Sequence, residues 1–584
     1  MTLVLRVPAA GAYSGTGESS AWFWCAATGL GLAAAVAFRL LPDLPPGIPF
    51  DERLKAELVL NGSQNFRHPI LMLQLVRLAN LWVGAADLPN VIDLGRAVAA
   101  AFGGLTVFAA MALARRAVGP HGALGAGVLT AVTPLCAFHA QLFKEDIFVA
   151  PWLLLGVLAI DRLREDSSSR HAILVGLTQG LAASAKYVGV VLLPLGLLLP
   201  LLVAVGCRSR YYAMTGLAAA IGFGVFCIVN APLFSNPSVF VDGLSYEIDH
   251  ATTRHVIAYP AWHSHLVFTW NANLWPGLRA PIALAGLLGA LLVSMRWRAS
   301  PPSLRLLLLL GVAWYLMHEL SPMKPYPEGA RHMTVMAAAL AILAVLAVER
   351  AADALEHFPE KWAPVFRRKC DQASNPERVP ARGIAESCSA FSERALAPAK
   401  RAVAVVAAIA GLGAVPAWTS WQIARSAPDD TQLVAERIAA ALDAPTAWAD
   451  RAALRPYAMW LDMSQPIDTE EQTAGYGAVK EAFAQLYLYS ITLPDQPESV
   501  RQVSAQYAAL MRRPALLITS TAGSFAYRNM AIRIVALKGD AESLARAVAT
   551  IGPVAGVELR LIRGALPGEA ERRGVDGLGE QPQR

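Results

Sequence analysis

Charged residues are scarce in this chain: of 584 residues, 16% are Asp, Glu, Lys or Arg, against about 25% in an average soluble protein. Too little polar surface remains to wrap a water-soluble globule of this size. Cysteine is also sparse. The six are scattered, and none follows Cys388, so the last third of the chain has no disulfide framework. No CxxC or HExxH spacing occurs, which removes the common zinc motifs. Internal repeats and long low-complexity tracts are missing too. The first apolar stretch lacks a basic leading region and an A-x-A exit, so it reads as a retained helix rather than a cleaved signal.

Apolar residues make up 55% of the chain. Runs of membrane-spanning length fall near 21–41, 95–115, 122–139, 147–162, 171–186, 188–206, 212–233, 279–296, 304–320, 332–349 and 401–424. A mainly α, polytopic membrane protein with about eleven transmembrane helices is expected. Residues 1–349 form its transmembrane body, 350–400 a charged, Pro-containing connector, and 401–424 a last span. In 425–565 the apolar runs shorten to ALLITS, IRIVAL and VELRLI between helical stretches at 431–442 and 540–549, as in a small soluble α+β domain. A tail rich in Gly, Glu and Arg, 566–584, reads as disordered.

The net charge of +6 comes mostly from Arg in short loops, a topology signal rather than a nucleic-acid surface. Arg115 and Arg116, then Arg162 to Arg170, Arg208 and Arg210, Arg296 to Arg305, and Arg350 to Arg368 occupy alternate loops. Those loops are expected in the cytoplasm, with the N-terminus inside and the C-terminal domain outside. The unusual polar sequence then collects on the outer face.

Six stretches there carry chemistry. Asp51 and Glu52 open a helical segment behind a Pro-rich turn; a carboxylate there could serve as base for an acceptor hydroxyl or amine, or simply solvate the loop or cap the helix. A short polar crossing ends in His68-Pro69 and leads to a helix with Gln74, Arg77 and Asn80 on one stripe, suited to a membrane surface. Lys144, Glu145 and Asp146 mark a turn between two spans that could bind phosphate or a divalent ion, or cap the next helix. Lys186 needs a partner at its depth, a lipid phosphate or the interface. Lys324, Arg331 and His332 stand at the start of the tenth span, where an outer Arg calls for an anion. The 245–276 loop mixes His250 and His255 with Trp and Tyr, fitting a membrane belt, sugar stacking or, despite irregular spacing, a metal.

The FDE triplet, the NF-x-HP turn, KYVG-x-x-LLP and K-P-x-P-E-x-x-R-H, in this order, resemble the protein O-mannosyltransferase family of GT-C glycosyltransferases and its bacterial aminoarabinose-transferase relatives. The resemblance spans about residues 20–350 and implies a GT-C fold. It also implies transfer of one sugar from a polyprenyl-phosphate donor to an acceptor outside the cytoplasm, with inversion, in a bacterial inner membrane. Asp51 and Glu52 match the family's catalytic carboxylate and its neighbour, and Asp146 the second acidic position, with Lys144 and Glu145 beside it. Lys186 and Arg331, with Lys324, match the side that faces the lipid phosphate, and His68, His250 and His255 lie in substrate loops. Family members commonly have Arg-Tyr where this chain has Arg331-His332, and residues 425–584 match nothing in the family. No metal or cofactor is expected, because lipid phosphate is a good leaving group, although a divalent ion stays open. The partners are the lipid-linked donor, the bilayer and an acceptor of unknown class. The competing readings are a transporter or lipid flippase, and a non-catalytic scaffold.

Overall fold

The computed structural model describes residues 18–41, 50–203, 205–252, 269–321, 328–371, 402–422 and 430–442, and then 476–480, 512–521, 531–536 and 541–562 with a few isolated positions between. Lys324, His255 and the expected tail 566–584 lie outside the described residues, as does the side chain of His250.

Among the described residues, seven helices are long and apolar enough to cross a membrane. They are α1 (Glu18–Leu40), α4 (Leu88–Ala114), α10 (Arg208–Val229), α13 (Trp275–Met295), α14 (Pro302–Leu320), α15 (Thr334–Asp371) and α16 (Ala402–Gln422). The chain is a mainly α membrane protein, as its composition leads one to expect. The four remaining expected spans fall on helices that are shorter or more charged. The 122–139 run breaks at the extended Thr133, which precedes a proline, into α5 (Pro120–Val132) and α6 (Pro134–His139). Helix α7 (Glu145–Asp166) has the length but carries acids at both ends, and it is buried among its neighbours rather than lipid-facing. Lys186 is extended and separates α8 (Ser169–Ala185) from a 3-10 turn, Tyr187–Val191, and α9 (Leu192–Leu202).

Outside the spans, α2 (Phe50–Leu60) and α3 (Leu71–Val83) follow α1, and α11 (Pro232–Ser235) and α12 (Pro237–Thr252) follow α10. Helix α3 buries Leu71, Met72, Leu73 and Val76 and exposes Leu78, Leu81 and Trp82. Apolar on both sides, it has the make-up of a helix lying in a membrane surface. Within the body α4 packs on α1, α5 and α7, α8 on α7 and α10, and α15 on α13 and α5. Small residues permit these approaches, as is usual where lipid leaves no hydrophobic drive between helices.

The last part has a separate core. Strands β1 (Tyr476–Lys480), β2 (Ala515–Ser520), β3 (Ile532–Ala536) and β4 (Val557–Ile562) form an antiparallel sheet in the order β1-β3-β2-β4. Helices α17 (Asp430–Ala441) and α18 (Ala541–Ile551) pack on it through Val434, Ile438, Leu544 and Ala547. The three expected apolar runs are strands β2, β3 and β4.

Gly289 shows how tight the body is: a Cβ there would lie 1.9 Å from the Leu343 carbonyl oxygen of α15. Gly289→Val should therefore push α13 off α15, at a cost of about 1–3 kcal/mol. Thermal unfolding of the purified protein in lipid nanodiscs should show a clear drop. Gly411→Val, where nothing lies within 4 Å, should behave like the parent, and equal midpoints for the two variants would refute this packing.

Candidate active site

Helix α2 buries Glu52, Lys55, Ala56 and Val59, the i, i+3, i+4, i+7 stripe of an amphipathic helix. Two of these four are charged, and each has its partner. Glu52 accepts from Arg96 of α4 at 2.6 and 3.2 Å and from the Phe143 backbone N–H at 2.8 Å. Burial pushes the Glu52 carboxyl up, against the guanidinium and the N–H, which pull it down. Phe143 reaches this place because Gly95 carries no side chain; a Cβ there would meet the phenyl ring at 2.4 Å. Lys55 donates to Glu145 at 2.6 Å.

Sequence reasoning places Glu52 with Asp51 as a catalytic carboxylate. The structure corrects this: Glu52 is fully buried and saturated by Arg96 and Phe143, so it ties α2 to α4 and to the 140–144 turn. Asp51, in the first turn of α2 rather than at its cap, turns the other way. Its side chain keeps 31% of its exposure, pairs with Lys144 and lies 3.7 Å from Arg331.

At the start of α7 the acids meet the dipole of the helix N-terminus. Lys144 occupies the cap position, where an ammonium has no acceptor to offer the helix N–H groups, and its side chain pairs with Asp51. Asp146 Oδ1 accepts from Lys186 Nζ at 2.5 Å and lies 2.7 Å from His332 Nδ1; its other oxygen is 3.3 Å from Arg331. The extended backbone at Lys186 is what swings that ammonium away from α8 toward α7. His332 is fixed from behind, its carbonyl accepting from Trp314 Nε1 at 2.7 Å and its ring stacked on His318.

His68 stands between two carboxylates, 3.9 Å from Glu145 and 3.6 Å from Glu247 of α12. Burial pushes its imidazole down to about 4, and burial, aided by Glu145, raises the Glu247 carboxyl to about 7. The structure thus gathers Asp51, Lys144, Glu145, Asp146, Lys186, Arg331 and His68 into one cluster. It adds three residues that sequence reasoning did not assign, Lys55, Arg96 and Glu247, and brings in His332, which that reasoning named beside Arg331. A signal existed for two of them. Arg96 begins an apolar span, where an ionisable group calls for a partner, and Lys55 lies one turn from Glu52 on the same face.

Residues 68–232, less than half of the chain, match the model of the dolichyl-phosphate-mannose-protein mannosyltransferase family. The resemblance read from the motifs is borne out over that stretch, and the family is one of glycosyltransferases. No curated protein matches the chain. Solved structures similar to it include the archaeal oligosaccharyltransferase AglB from Archaeoglobus fulgidus in complex with an inhibitory peptide and a dolichol-phosphate, with 13% identity, 88% of this chain and 75% of that one covered, and a TM-score of 0.49. ArnT from Cupriavidus metallidurans bound to undecaprenyl phosphate has 15% identity, 90% and 100% coverage, and a TM-score of 0.47. The S. cerevisiae protein O-mannosyltransferase Pmt1-Pmt2 complex bound to the sugar donor has 18% identity, 43% and 36% coverage, and a TM-score of 0.31.

Removing one partner of a buried pair leaves a stranded charge and costs about 3–5 kcal/mol. Arg96→Met alone should therefore destabilise the protein severely, and adding Glu52→Leu should recover most of the loss. Denaturant unfolding of the purified variants checks this. An Arg96→Met single variant as stable as the parent would show that the pair does not hold α2.

Proposed function

We propose that the chain is a glycosyltransferase that moves one sugar from a polyprenyl-phosphate donor to an acceptor, inverting the anomeric carbon, in a bacterial inner membrane. One observation carries this reading: a water-facing carboxylate, Asp51, shares Arg331 with the buried Asp146–Lys186 pair. A base and two phosphate-type cations thus lie within a few ångströms of each other. The family match over residues 68–232 supports the donor class.

In this reading Arg331 and Lys186 take the donor phosphate, exchanging carboxylate for phosphate contacts, and Lys324, earlier in the same KPYPEGARH stretch of sequence, is a further cation for it. The acceptor O–H or N–H gives its proton to Asp51 while the new bond to the anomeric carbon forms. The bond from that carbon to the phosphate oxygen breaks, and its electron pair leaves with the phosphate. Fixed cations aimed at that developing charge are the main source of rate in such sites. They also supply the positive charge for which a metal would otherwise be wanted, so we propose a metal-independent reaction.

A scaffold has no need for Asp51, Asp146, Lys186 and Arg331 to converge, and they do converge. A transporter is expected to carry ionisable groups near span centres. Here the charge is gathered where α7 and α15 begin and α8 ends. The outer face holds this cluster and the C-terminal domain, and the N-terminus lies in the cytoplasm. Topology reporters placed after Arg116, Arg164 or Arg298 should read as cytoplasmic and one after Pro428 as external; a cytoplasmic result after Pro428 would overturn the orientation.

General-base catalysis contributes about 100- to 10,000-fold. Asp51→Asn should slow transfer from labelled undecaprenyl-phosphate mannose by that order, with binding of undecaprenyl phosphate nearly unchanged. Arg331→Ala should weaken that binding first, by the about 1.5–3 kcal/mol of a hydrogen bond to a charged group. Near-normal turnover in Asp51→Asn would remove it as the base.

A further inference from the structure

Helix α12 is not an idle outer segment. Gly243 lies against the 61–70 turn so closely that a Cβ would meet the Phe66 carbonyl carbon at 2.4 Å. The Phe240 ring stands edge-on to Phe66 at 5.5 Å, and the Arg67 guanidinium lies 4.3 Å from the Tyr246 ring centre. The turn is clamped from its other side, where Tyr187 donates to the Phe66 carbonyl at 2.9 Å and the Ile70 N–H donates to Asn230 at 3.0 Å. Phe66 is held at φ 49, a left-handed value uncommon for a bulky residue. Glu247, one helical turn beyond Gly243, therefore shares its face and is carried onto His68.

Its surroundings set Glu247 apart. Glu52 is bound to Arg96, Glu145 to Lys55, Asp146 to Lys186 and Arg331, and Asp51 to Lys144 and Arg331. Among the described residues, Glu247 has no cation in salt-bridge contact, and its neighbour is the neutral imidazole of His68. With Asp51 at 31%, Glu247 at 21% and His68 at 32% side-chain exposure, these three present the water-facing wall of the cluster. The charges that act on Glu247 are Glu145 of α7, Lys55 of α2, Lys186 behind α8 and Arg331 ahead of α15, the same groups that surround the proposed donor phosphate.

We propose that Glu247 is the acceptor-binding carboxylate of this site: it receives a hydrogen-bond donor of the acceptor, a hydroxyl or ammonium, and turns it toward the donor sugar. The inference rests on the glycosyltransferase reading. It divides the work between a base tied to cations, Asp51, and an uncommitted acceptor-side oxygen pair on α12. His68, close to both Glu145 and Glu247, keeps Glu247 in place while adding no positive charge at neutral pH.

Only ionised Glu247 has both oxygens free to accept. Its carboxyl is raised to about 7 by burial, so the accepting form is present above that pH and is lost as pH falls through it. The test uses the full chain in nanodiscs with labelled undecaprenyl-phosphate mannose as donor. Graded amounts of the cell-envelope fraction from a strain lacking this chain serve as acceptor probe. Glu247→Gln should raise the apparent KM for that fraction about 10- to 100-fold, the range of a charge-assisted hydrogen bond, with kcat and undecaprenyl phosphate binding little changed. Glu247→Asp should recover part of the loss. The wild-type KM should rise as pH falls below about 7, and the Gln variant should be flat. Unchanged KM in Glu247→Gln, or an equal fall in donor binding, overturns the inference while leaving the transferase reading intact. No consumption of donor by the wild type overturns both.

Discussion

A carboxylate taken out of water needs a cation, and at one end of this bundle that requirement decides the arrangement of the chain. Glu52, Glu145 and Asp146 are almost fully buried. Arg96, Lys55, Lys186 and Arg331 answer them from α4, α2, the break after α8 and the lead-in to α15. Desolvating such charges is costly, and the cost is offset only when partners are close and well aimed. The helices are consequently tied at their ends by charge and along their lengths by small-residue packing. Neither alone fixes the register of α2 on α4, which needs Gly95 to admit Phe143 and Phe143 to bring its N–H to Glu52.

In the proposed reaction the same network sets up the chemistry. Groups that must meet a developing negative charge are worth most when they are already in place and screened from water. Lys186 and Arg331 are held so, by Asp146 and through it by His332 and the Trp314 bond behind it. Asp51 and Glu247 are the acids left with solvent access, on opposite sides of His68 and Glu145 in the chain of contacts. Buried pairs give the site its shape, and half-exposed acids give it something to do.

Much of this was legible in the sequence. The apolar runs gave the membrane class, the short β-rich runs gave strands β2, β3 and β4, and four motifs named most of the cluster. Position in the sequence could not separate Asp51 from Glu52. Adjacent residues on a helix point about 100° apart, so one entered the core and the other faced water, and only the docking of α2 decides which. Glu247 was hidden for another reason. It lies on an unremarkable amphipathic stretch, and its meaning comes from His68, far away in sequence but within 3.6 Å. The division of the 122–139 run turned on Thr133 ahead of Pro134, a local signal that apolar length obscures. Strand β1 escaped because YGAVK is short and weakly apolar.

The far end of the bundle shows what charge does when it has no chemical task. There Arg116 meets Asp161 at 3.1 Å and also Glu165, Arg164 meets Asp161 at 3.2 Å, and Glu349 accepts from the Gly119 N–H at the start of α5. Asp161 and Glu349 are buried there, but Arg116, Arg164 and Glu165 keep partial exposure, so the network serves to finish helices and seat arginines at a membrane edge. At the active end the order is reversed. The cations are buried with their acids, the helix N-terminus of α7 adds its dipole, and solvent reaches mainly Asp51, His68 and Glu247. Two charged ends of one bundle, built from the same residue types, differ in how far their cations are desolvated. In the proposed reaction the end with buried cations stores interaction that an incoming phosphate can claim, and the other end does not.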